Sequence, residues 1–349
     1  MTTFTLPDSD DIQVSLVEGL SKEQLLEFPA FKNWLSTLRQ HLSLQSNSPT
    51  HEFHSSPYTL RSIKIQSIDR FGSNRLGFIK FVADVQNSDG EKLPGSVFLR
   101  GASVGMLVVL TPDDAPEEKY VLLTVQPRVA AGSLRLVELP AGMVDGGTFA
   151  GSAAREIEEE LGLKIPESEL TNLTELAIPP PSSSSKDPQN ENLPRAVFPS
   201  PGGCDEYIPI FMHEKRVPRE TLNEWAGKLT GLRDEGEKIT LKVVKLEDLW
   251  REGARDAKAL SAWALWEGYD FFLSEPGSPT SQNPAKGEQA YQMDTILGTG
   301  NLFQPLCPAI QTVFQMTITS FGEWQVPDVK AREPNSPQLA QRYAVQLDG

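Results

Sequence analysis

The sequence lacks most of the features that mark secreted, membrane-spanning and nucleic-acid-binding proteins. It has only two cysteines, Cys204 and Cys307, in 349 residues. Two cysteines make neither a disulfide framework nor a zinc site, and such usage is typical of a reducing compartment. No apolar run approaches the roughly 20 residues of a membrane helix, and the acidic N-terminus has neither the basic nor the apolar region of a targeting peptide. We therefore expect a cytosolic protein, with the nucleus as a second compartment, and no membrane partner.

Positive charge is scarce as well. The sequence has 32 Lys and Arg against 47 Asp and Glu, which gives a net charge of −15. Nucleic-acid backbones and anionic membranes are disfavoured as partners, because both repel an acidic protein. The 39% hydrophobic and 23% charged residues are typical of a soluble globular protein with one large or two small domains. An anionic substrate would need a metal ion or local arginines.

Residues 138–163 are the most informative stretch, and they read E-L-P-A-G-M-V-D-G-G-T-F-A-G-S-A-A-R-E-I-E-E-E-L-G-L. The second half predicts an amphipathic helix ending at Gly162. Its apolar residues recur at three- and four-residue spacing, at Ala150, Ala154, Ile157 and Leu161. The first half, with its proline and glycines, predicts a strand that enters a loop.

Three glutamates of this helix are candidate metal ligands. Glu156, Glu159 and Glu160 fall at i, i+3 and i+4, so an α-helix would place them on one face. Each such like-charged pair costs a few tenths of a kcal/mol. A divalent cation would offset this cost, since Mg²⁺ prefers one or two carboxylates together with substrate phosphates. For a glutamate run taken alone, a solvated acidic face is the simpler interpretation.

The surrounding residues favour the metal site. The nine residues 155–163 match the pattern R-E-U-x-E-E-x-G-U completely, where U is aliphatic, and Leu139-Pro-Ala-Gly142 precedes them. This stretch resembles the Nudix box, G-x5-E-x7-R-E-U-x-E-E-x-G-U. The resemblance implies metal-dependent hydrolysis of a nucleoside diphosphate linked to another group.

The stretch departs from the box at one place. The spacing from Gly142 to Arg155 is one residue short, and Gly147 or Thr148 stands where the box has its first glutamate. In the family that glutamate mainly supports the loop, so the departure concerns loop geometry more than metal binding. Asp145 is a candidate for a partial substitute.

The sequence predicts an α/β fold. Strands that bracket the box helix, with a long helix over Asp256–Leu273, indicate an α/β/α sandwich. The resemblance implies the Nudix version, with a mixed sheet and an N-terminal antiparallel β meander. We expect four segments: a helical segment and linker (1–58), the meander, which would mediate dimerisation (59–100), the Nudix domain (101–274) and an extension of unassigned role (275–349).

Four local expectations accompany this division. Residues 1–20 look loosely ordered. Ser21 can cap a helix over Lys22–His41, which Pro29 would kink or split. Leu173–Ile178 predicts a strand. The low-complexity residues 179–195 predict a mobile insertion.

Further segments are similar to ADP-sugar pyrophosphatases of the Nudix superfamily, and most similar to the plant plastid ADP-glucose/ADP-ribose type. The similarity covers about residues 28–270. Three segments match the ADP-sugar pyrophosphatases in general: Val125–Arg128, Ser200–Glu206 and Gly231–Ile239. Three others match the plastid type: Phe31–Leu35, Phe71–Phe81 and Thr230–Arg233.

The resemblance implies a role for each matching residue, with Mg²⁺ as the cofactor and Mn²⁺ as an alternative. The metal ligands would be the carbonyl of Ala141 and the carboxylates of Glu156, Glu159, Glu160 and Glu237. Glu156 and Glu160 would thereby serve catalysis, and Glu235 would orient or deprotonate the attacking water. Arg128, Arg100 and Glu206 would bind the nucleotide-sugar substrate.

Other interpretations remain open for several of these residues and for the whole protein. Arg128 could be a surface ion-pair residue, and Glu235 and Glu237 could be solvated loop residues. The protein could hydrolyse another substrate, such as a dinucleoside polyphosphate or NADH, although the zinc-ribbon cysteines of the NADH branch are absent. A nucleotide-sugar binding module without turnover is the third alternative. The resemblance also implies a homodimer.

Overall fold

The computed structural model describes residues 2–7, 11–72, 75–144, 148–180, 191–231 and 238–274. Its N-terminal part is a five-stranded sheet covered by two helices. In chain order these elements are β1 (Thr3–Thr5), β2 (Gln13–Ser15), α1 (Lys22–Glu27), α2 (Pro29–Asn47), β3 (Thr59–Phe71), β4 (Arg75–Gln86) and β5 (Ser96–Leu99). The strands lie in sequence order, and β2–β3 is the parallel pair among antiparallel neighbours.

The antiparallel meander therefore includes β3, β4 and β5, as the sequence predicts, but the expectation for residues 1–20 is wrong in the described part. β1 and β2 extend the sheet, because Val14 and Leu16 are buried in the same apolar core as the helices. Ser21 caps α1 by accepting a hydrogen bond from the Gln24 N–H. Pro29 divides the predicted helix in two and is the first residue of α2. At that position a residue's N–H has no acceptor within the helix, so proline costs no hydrogen bond.

The meander has a hydrophobic core within its own chain. The rings of Phe31 and Trp34 on α2 pack against Phe81 of β4, with the Trp34 and Phe81 centroids 4.6 Å apart. Ile63 and Ile79 are fully buried beside them. A partner subunit is thus not needed to cover this face of the sheet.

The second sheet is mixed and has eight strands. They are β6 (Ser103–Pro112), β7 (Tyr120–Arg128), β8 (Ser133–Glu138), β9 (Ala141–Met143), β10 (Thr171–Asn172), β11 (Ile210–Val217), β12 (Leu229–Thr230) and β13 (Ile239–Lys245). The main order is β10-β11-β6-β7-β13-β12, with β8 beside β7 and β9 beside β6, and only the β11–β6 pair among these described strands is parallel. Because β6 is apolar along almost its whole length, it is buried on both faces.

Helices cover both faces of this sheet. They are α3 (Phe149–Glu156), α4 (Leu173–Ala177), α5 (Arg219–Trp225), α6 (Leu249–Glu252) and α7 (Ala257–Ser274). α3 and α5 share one core with the sheet, and α4, α6 and α7 share the other. The predicted α/β/α sandwich with a mixed sheet is confirmed. Among the described helices, none combines the length and apolar character needed to cross a bilayer.

The predicted strand at Leu173–Ile178 is wrong, because this segment forms α4. Asn172 starts the helix by accepting a hydrogen bond from the Glu175 N–H at 3.1 Å. Leu173 then packs into the core shared with α7. A short apolar run does not separate a strand from a buried helical turn by its periodicity.

We predict that the insertion is dispensable for folding. Its composition of proline, serine and charged residues cannot form a packed core, and residues 181–190 lie outside the described part. Its C-terminal flank contacts the domain, since Arg195 pairs with Glu175 at 3.2 Å. Replacing only 181–190 with a short Gly/Ser linker should therefore leave the melting temperature unchanged. A drop of many degrees in differential scanning calorimetry would contradict this.

Candidate active site

The box loop, which runs from Leu139 to Thr148, follows β8 and precedes α3. After β8, Leu139-Pro140 leads into β9, which pairs antiparallel with the start of β6 so that Ala141 lies opposite Gly105. Thr148 then caps α3, because its hydroxyl accepts a hydrogen bond from the Gly151 N–H at 2.9 Å. The strand and the helix cap hold the two ends of the segment in which the sequence predicts metal ligands.

The predicted box helix changes from an α-helix to a π-helical turn at the residues that carry its glutamates. α3 ends at Glu156, and Ile157–Leu161 form a π-helical turn that Gly162 closes with a φ of 70°. π-turns of this kind are rare and occur frequently at functional sites. Since the turn is wider than an α-helical one, the i, i+3, i+4 spacing no longer places three side chains on one face.

Two of the three glutamates meet the box loop. Glu160 is 5% exposed, and its Oε2 accepts a hydrogen bond from the Ala141 N–H at 3.2 Å. The carboxyl group of Glu156 lies so close to Gly142 that a Cβ added there would overlap it. Glu159 is exposed instead, so the expectation that all three share one face is wrong.

The residues present fit a hard divalent cation. Among the described residues, no three His, Cys, Asp or Glu side chains converge closely enough to form a complete cage. Mg²⁺ does not require one, because it usually keeps several waters and takes one or two carboxylates plus substrate phosphates. Glu156 and Glu160 supply the two carboxylate groups at one loop.

The structure brings Arg100 and Glu206 together. The Arg100 Nη2 lies 3.2 Å from Glu206 Oε1, and the Ser103 hydroxyl donates to the same oxygen at 2.7 Å. Ser103 also faces Met143 across the β6–β9 ladder. The Arg100–Ser103–Glu206 cluster therefore begins on the strand next to the one that carries Ala141 and Gly142.

A neighbouring carboxylate fixes the loop that carries Glu206. Asp205 Oδ1 accepts a hydrogen bond from the Arg100 N–H at 2.7 Å, and both of its oxygens face the Gly101 N–H. Burial raises the pKa of Asp205, and these backbone hydrogen bonds oppose that rise. The Phe98 N–H also donates to the Gly203 carbonyl at 2.8 Å. The 200–206 loop is thus held by the end of β5.

An aromatic contact joins the same loop to the box helix. The Tyr207 ring centroid lies 6.1 Å from that of Phe149 at the start of α3 and 5.9 Å from that of Phe198. Burial raises the pKa of Tyr207. These ring contacts connect the 200–206 loop with the start of α3.

Arg128 is not isolated on the surface. Its Nε donates to Glu138 Oε2 at 2.6 Å, although 42% of its side chain is exposed. Lys258 reaches the other oxygen of Glu138 at 3.3 Å. Arg128 therefore forms an ion pair through one of its nitrogens, and no sequence pattern points to Glu138 or Lys258 as members of this group.

Glu167, which follows the box in sequence, contacts the start of α3, near the position where the first box glutamate is missing. The Thr148 hydroxyl donates to Glu167 Oε2 at 3.1 Å. A Cβ added to Gly151 would lie 3.0 Å from the other oxygen of Glu167. Glu167 thus supports the N-terminal turn of α3 from outside the box, whereas Asp145 and Gly147 lie outside the described residues.

Glu235 and Glu237 also lie outside the described part of the chain. The described residues on either side of them are anchored, since β12, which ends at Thr230, pairs antiparallel with β13, which begins at Ile239. β12 packs beside the π-turn Ile157–Leu161. The described anchors therefore lie next to the turn that bears Glu160.

The chain belongs to the Nudix hydrolase family, as a family model and a curated relative show. A family model described as the NUDIX domain matches residues 99–263. The chain is 37% identical over 273 residues to Nudix hydrolase 14, chloroplastic, from Arabidopsis thaliana, which covers 76% of this chain and 80% of that protein. A crystal structure of an ADP compounds hydrolase aligns with 60% of this chain and 95% of its own, at 18% identity and a TM-score of 0.36.

Proposed function

Because this chain belongs to the Nudix hydrolase family, we propose that it hydrolyses the diphosphate of ADP-sugars. ADP-ribose and ADP-glucose would each yield AMP and a sugar phosphate. The observation that carries the proposal is the Arg100–Ser103–Glu206 cluster, in which Ser103 lies on β6, beside the β9 residues that Glu156 and Glu160 contact. Glu206, which lies in a segment similar to ADP-sugar pyrophosphatases, is thereby linked through Ser103 to the strand pair that would hold the metal.

The acidic character of the protein favours a metal ion for binding such a substrate. The diphosphate is anionic and the chain has a net charge of −15. Nudix hydrolases generally use divalent metals, and we propose Mg²⁺, with Mn²⁺ as an alternative. When bound, the ion neutralises diphosphate charge and makes a bound water more acidic. Glu156, Glu160 and the carbonyl of Ala141 would hold it, together with Glu237 and, from the exposed side, Glu159.

The remaining residues would bind substrate and move one proton. Arg128 presents a guanidinium whose outer nitrogens can donate to a phosphate. Glu206 accepts hydrogen bonds, so it and Arg100 would orient hydroxyl and phosphate groups of the nucleotide-sugar. Glu235 would accept the proton of the attacking water.

A substrate panel tests this function. ADP-ribose, ADP-glucose, NADH and a dinucleoside polyphosphate are incubated at equal concentration with Mg²⁺, and AMP release is measured. We expect the two ADP-sugars to have the highest kcat/KM, and chelation by EDTA to abolish turnover. Faster hydrolysis of NADH or the polyphosphate would assign another substrate. Binding of ADP-ribose without AMP release would show a binding module, which the missing box glutamate favours.

We predict that the enzyme is a homodimer. The face of the first sheet opposite α1 and α2 carries contacting rings of Phe71, Phe78 and Phe98, and Phe98 is 37% exposed. Apolar patches of this kind mark interaction surfaces. Sedimentation at micromolar concentration should give the dimer mass, and Phe98→Ser should shift it toward the monomer. A wild-type monomer with normal turnover would contradict the prediction.

A further inference from the structure

Four charged side chains form a network behind the box loop. Glu138 accepts hydrogen bonds from Arg128 at 2.6 Å and from Lys258 at 3.3 Å, one on each oxygen. Lys258 also donates to Asp256 Oδ1 at 2.9 Å. Two acids and two bases balance one another, so the network is neutral. Glu138 and Asp256 are buried, and only Arg128 reaches the surface.

The same network holds the backbone that leads into the metal site. Asp256 Oδ2 accepts a hydrogen bond from the Leu139 N–H at 2.8 Å. The Pro140 carbonyl accepts one from the Met106 N–H at 2.9 Å, and the Ala141 N–H donates to Glu160. Each residue from Glu138 to Ala141 is therefore fixed by a named contact.

Glu138 does not bind the terminal nitrogens of Arg128, which are the atoms suited to binding phosphate. Glu138 contacts Nε, the side nitrogen of the guanidinium. Among the described residues, the two terminal nitrogens make no hydrogen bond. Those nitrogens form the fork that binds phosphate in a bidentate manner. A buried carboxylate that holds Nε thus limits the motion of the partly exposed guanidinium.

We propose that Glu138, Lys258 and Asp256 are positioning residues that preset two parts of the site at once. Glu138 orients Arg128 toward the diphosphate, and Asp256 holds Leu139-Pro140-Ala141 in place for the metal ligands. Lys258 links the two carboxylates. This inference rests on the proposed function for the identity of the substrate, but not for the two binding events, nucleotide and metal.

Two binding measurements separate the effect of the network on Arg128 from its effect on the metal ligands. The non-hydrolysable α,β-methylene analogue of ADP is titrated by calorimetry, and Mn²⁺ is titrated without nucleotide by electron paramagnetic resonance. Glu138→Gln should weaken the analogue about tenfold, the loss expected for one charge-assisted contact, and leave the Mn²⁺ Kd within about twofold of wild type. Asp256→Ala should raise the Mn²⁺ Kd about tenfold, as changes behind a metal site do.

Two further variants show whether the residues act by positioning. If Glu138 acts through Arg128, adding Glu138→Gln to Arg128→Ala should cause no further loss of analogue binding. Asp256→Asn keeps an acceptor for the Leu139 N–H, so it should restore most of the Mn²⁺ affinity lost in Asp256→Ala. If Asp256→Ala does not fold, Lys258→Met must weaken both ligands for the inference to hold.

Glu252→Gln is the matched control. Glu252 lies on α6 and pairs with Lys242 of β13, so the variant removes an ion pair without changing a residue of the network. The inference is overturned if Glu138→Gln and Asp256→Ala bind both ligands as tightly as this control does. It is also overturned if the double variant of Glu138→Gln and Arg128→Ala loses as much analogue affinity as the two single variants together. A wild-type protein that binds the analogue but releases no AMP from ADP-ribose would reject the proposed function and leave the network test intact.

Discussion

Replacing Glu160 with glutamine should lower kcat by about 10²–10³-fold, the range seen when one preorganised electrostatic contact is lost from an active site. Glu160 is the buried glutamate of the π-turn, and its carboxylate faces the Ala141 N–H. Glutamine retains an oxygen for that N–H and removes only the negative charge. The loss should therefore come with a higher Mg²⁺ requirement and an unchanged melting temperature.

Glu158→Gln is the control for this variant. Glu158 lies on the same turn, is exposed and pairs with Lys164 at 3.1 Å, so its replacement should leave kcat close to wild type. The measurement is a Mg²⁺ titration of AMP release for both variants. Equal activity of the two would show that Glu160 only holds the box loop.

Replacing Glu235 with glutamine should lower kcat by about 10²–10⁴-fold, the usual contribution of a general base, with little change in metal affinity. Glu235 and Glu237 flank Gly236 in the sequence. Glu237 adjoins β13 and is the better candidate for a metal ligand. Glu235 lies farther from the strand and is the better candidate for the base.

Two companion variants test this assignment. Glu237→Gln should raise the Mg²⁺ concentration needed for half-maximal activity, whereas Glu206→Gln should act mainly through KM, because Glu206 is held in place by Arg100 and Ser103. Steady-state kinetics at saturating and limiting Mg²⁺ separate these effects. If Glu235→Gln keeps the wild-type kcat and Glu206→Gln loses it, the two loops exchange roles.

Much of the fold is predictable from local patterns. Alternating apolar residues locate β3 and β4, and the continuous apolar run of β6 indicates a buried strand. The short elements are less predictable, because β1, β2 and α4 depend on packing partners far along the chain rather than on periodicity. The first two strands form because Val14 and Leu16 find a core made by α2 and β3.

The candidate site divides in the same way. Glu156, Glu160, Arg100 and Glu206 follow from a local motif or from a resemblance. The roles of Ser103, Asp205 and Glu138 cannot be predicted in this way, because their partners are distant in sequence. Glu138 and Lys258, for example, are separated by 120 residues. The π-turn is unpredictable for another reason. Its sequence, Ile157–Leu161, suits an α-helix equally well, and the contact of Glu160 with Ala141 accompanies the wider turn.

The hydrogen bond between Asp256 and the Leu139 N–H has a consequence for shortened forms of this chain. The matched family region ends at residue 263, inside α7. A truncation there would retain Asp256 and Lys258 but remove Trp266 and Tyr269, which pack that helix onto the sheet. The buried charges would then sit on a fraying helix end. The smallest active fragment should therefore extend through Ser274, although the recognisable motif lies more than a hundred residues earlier.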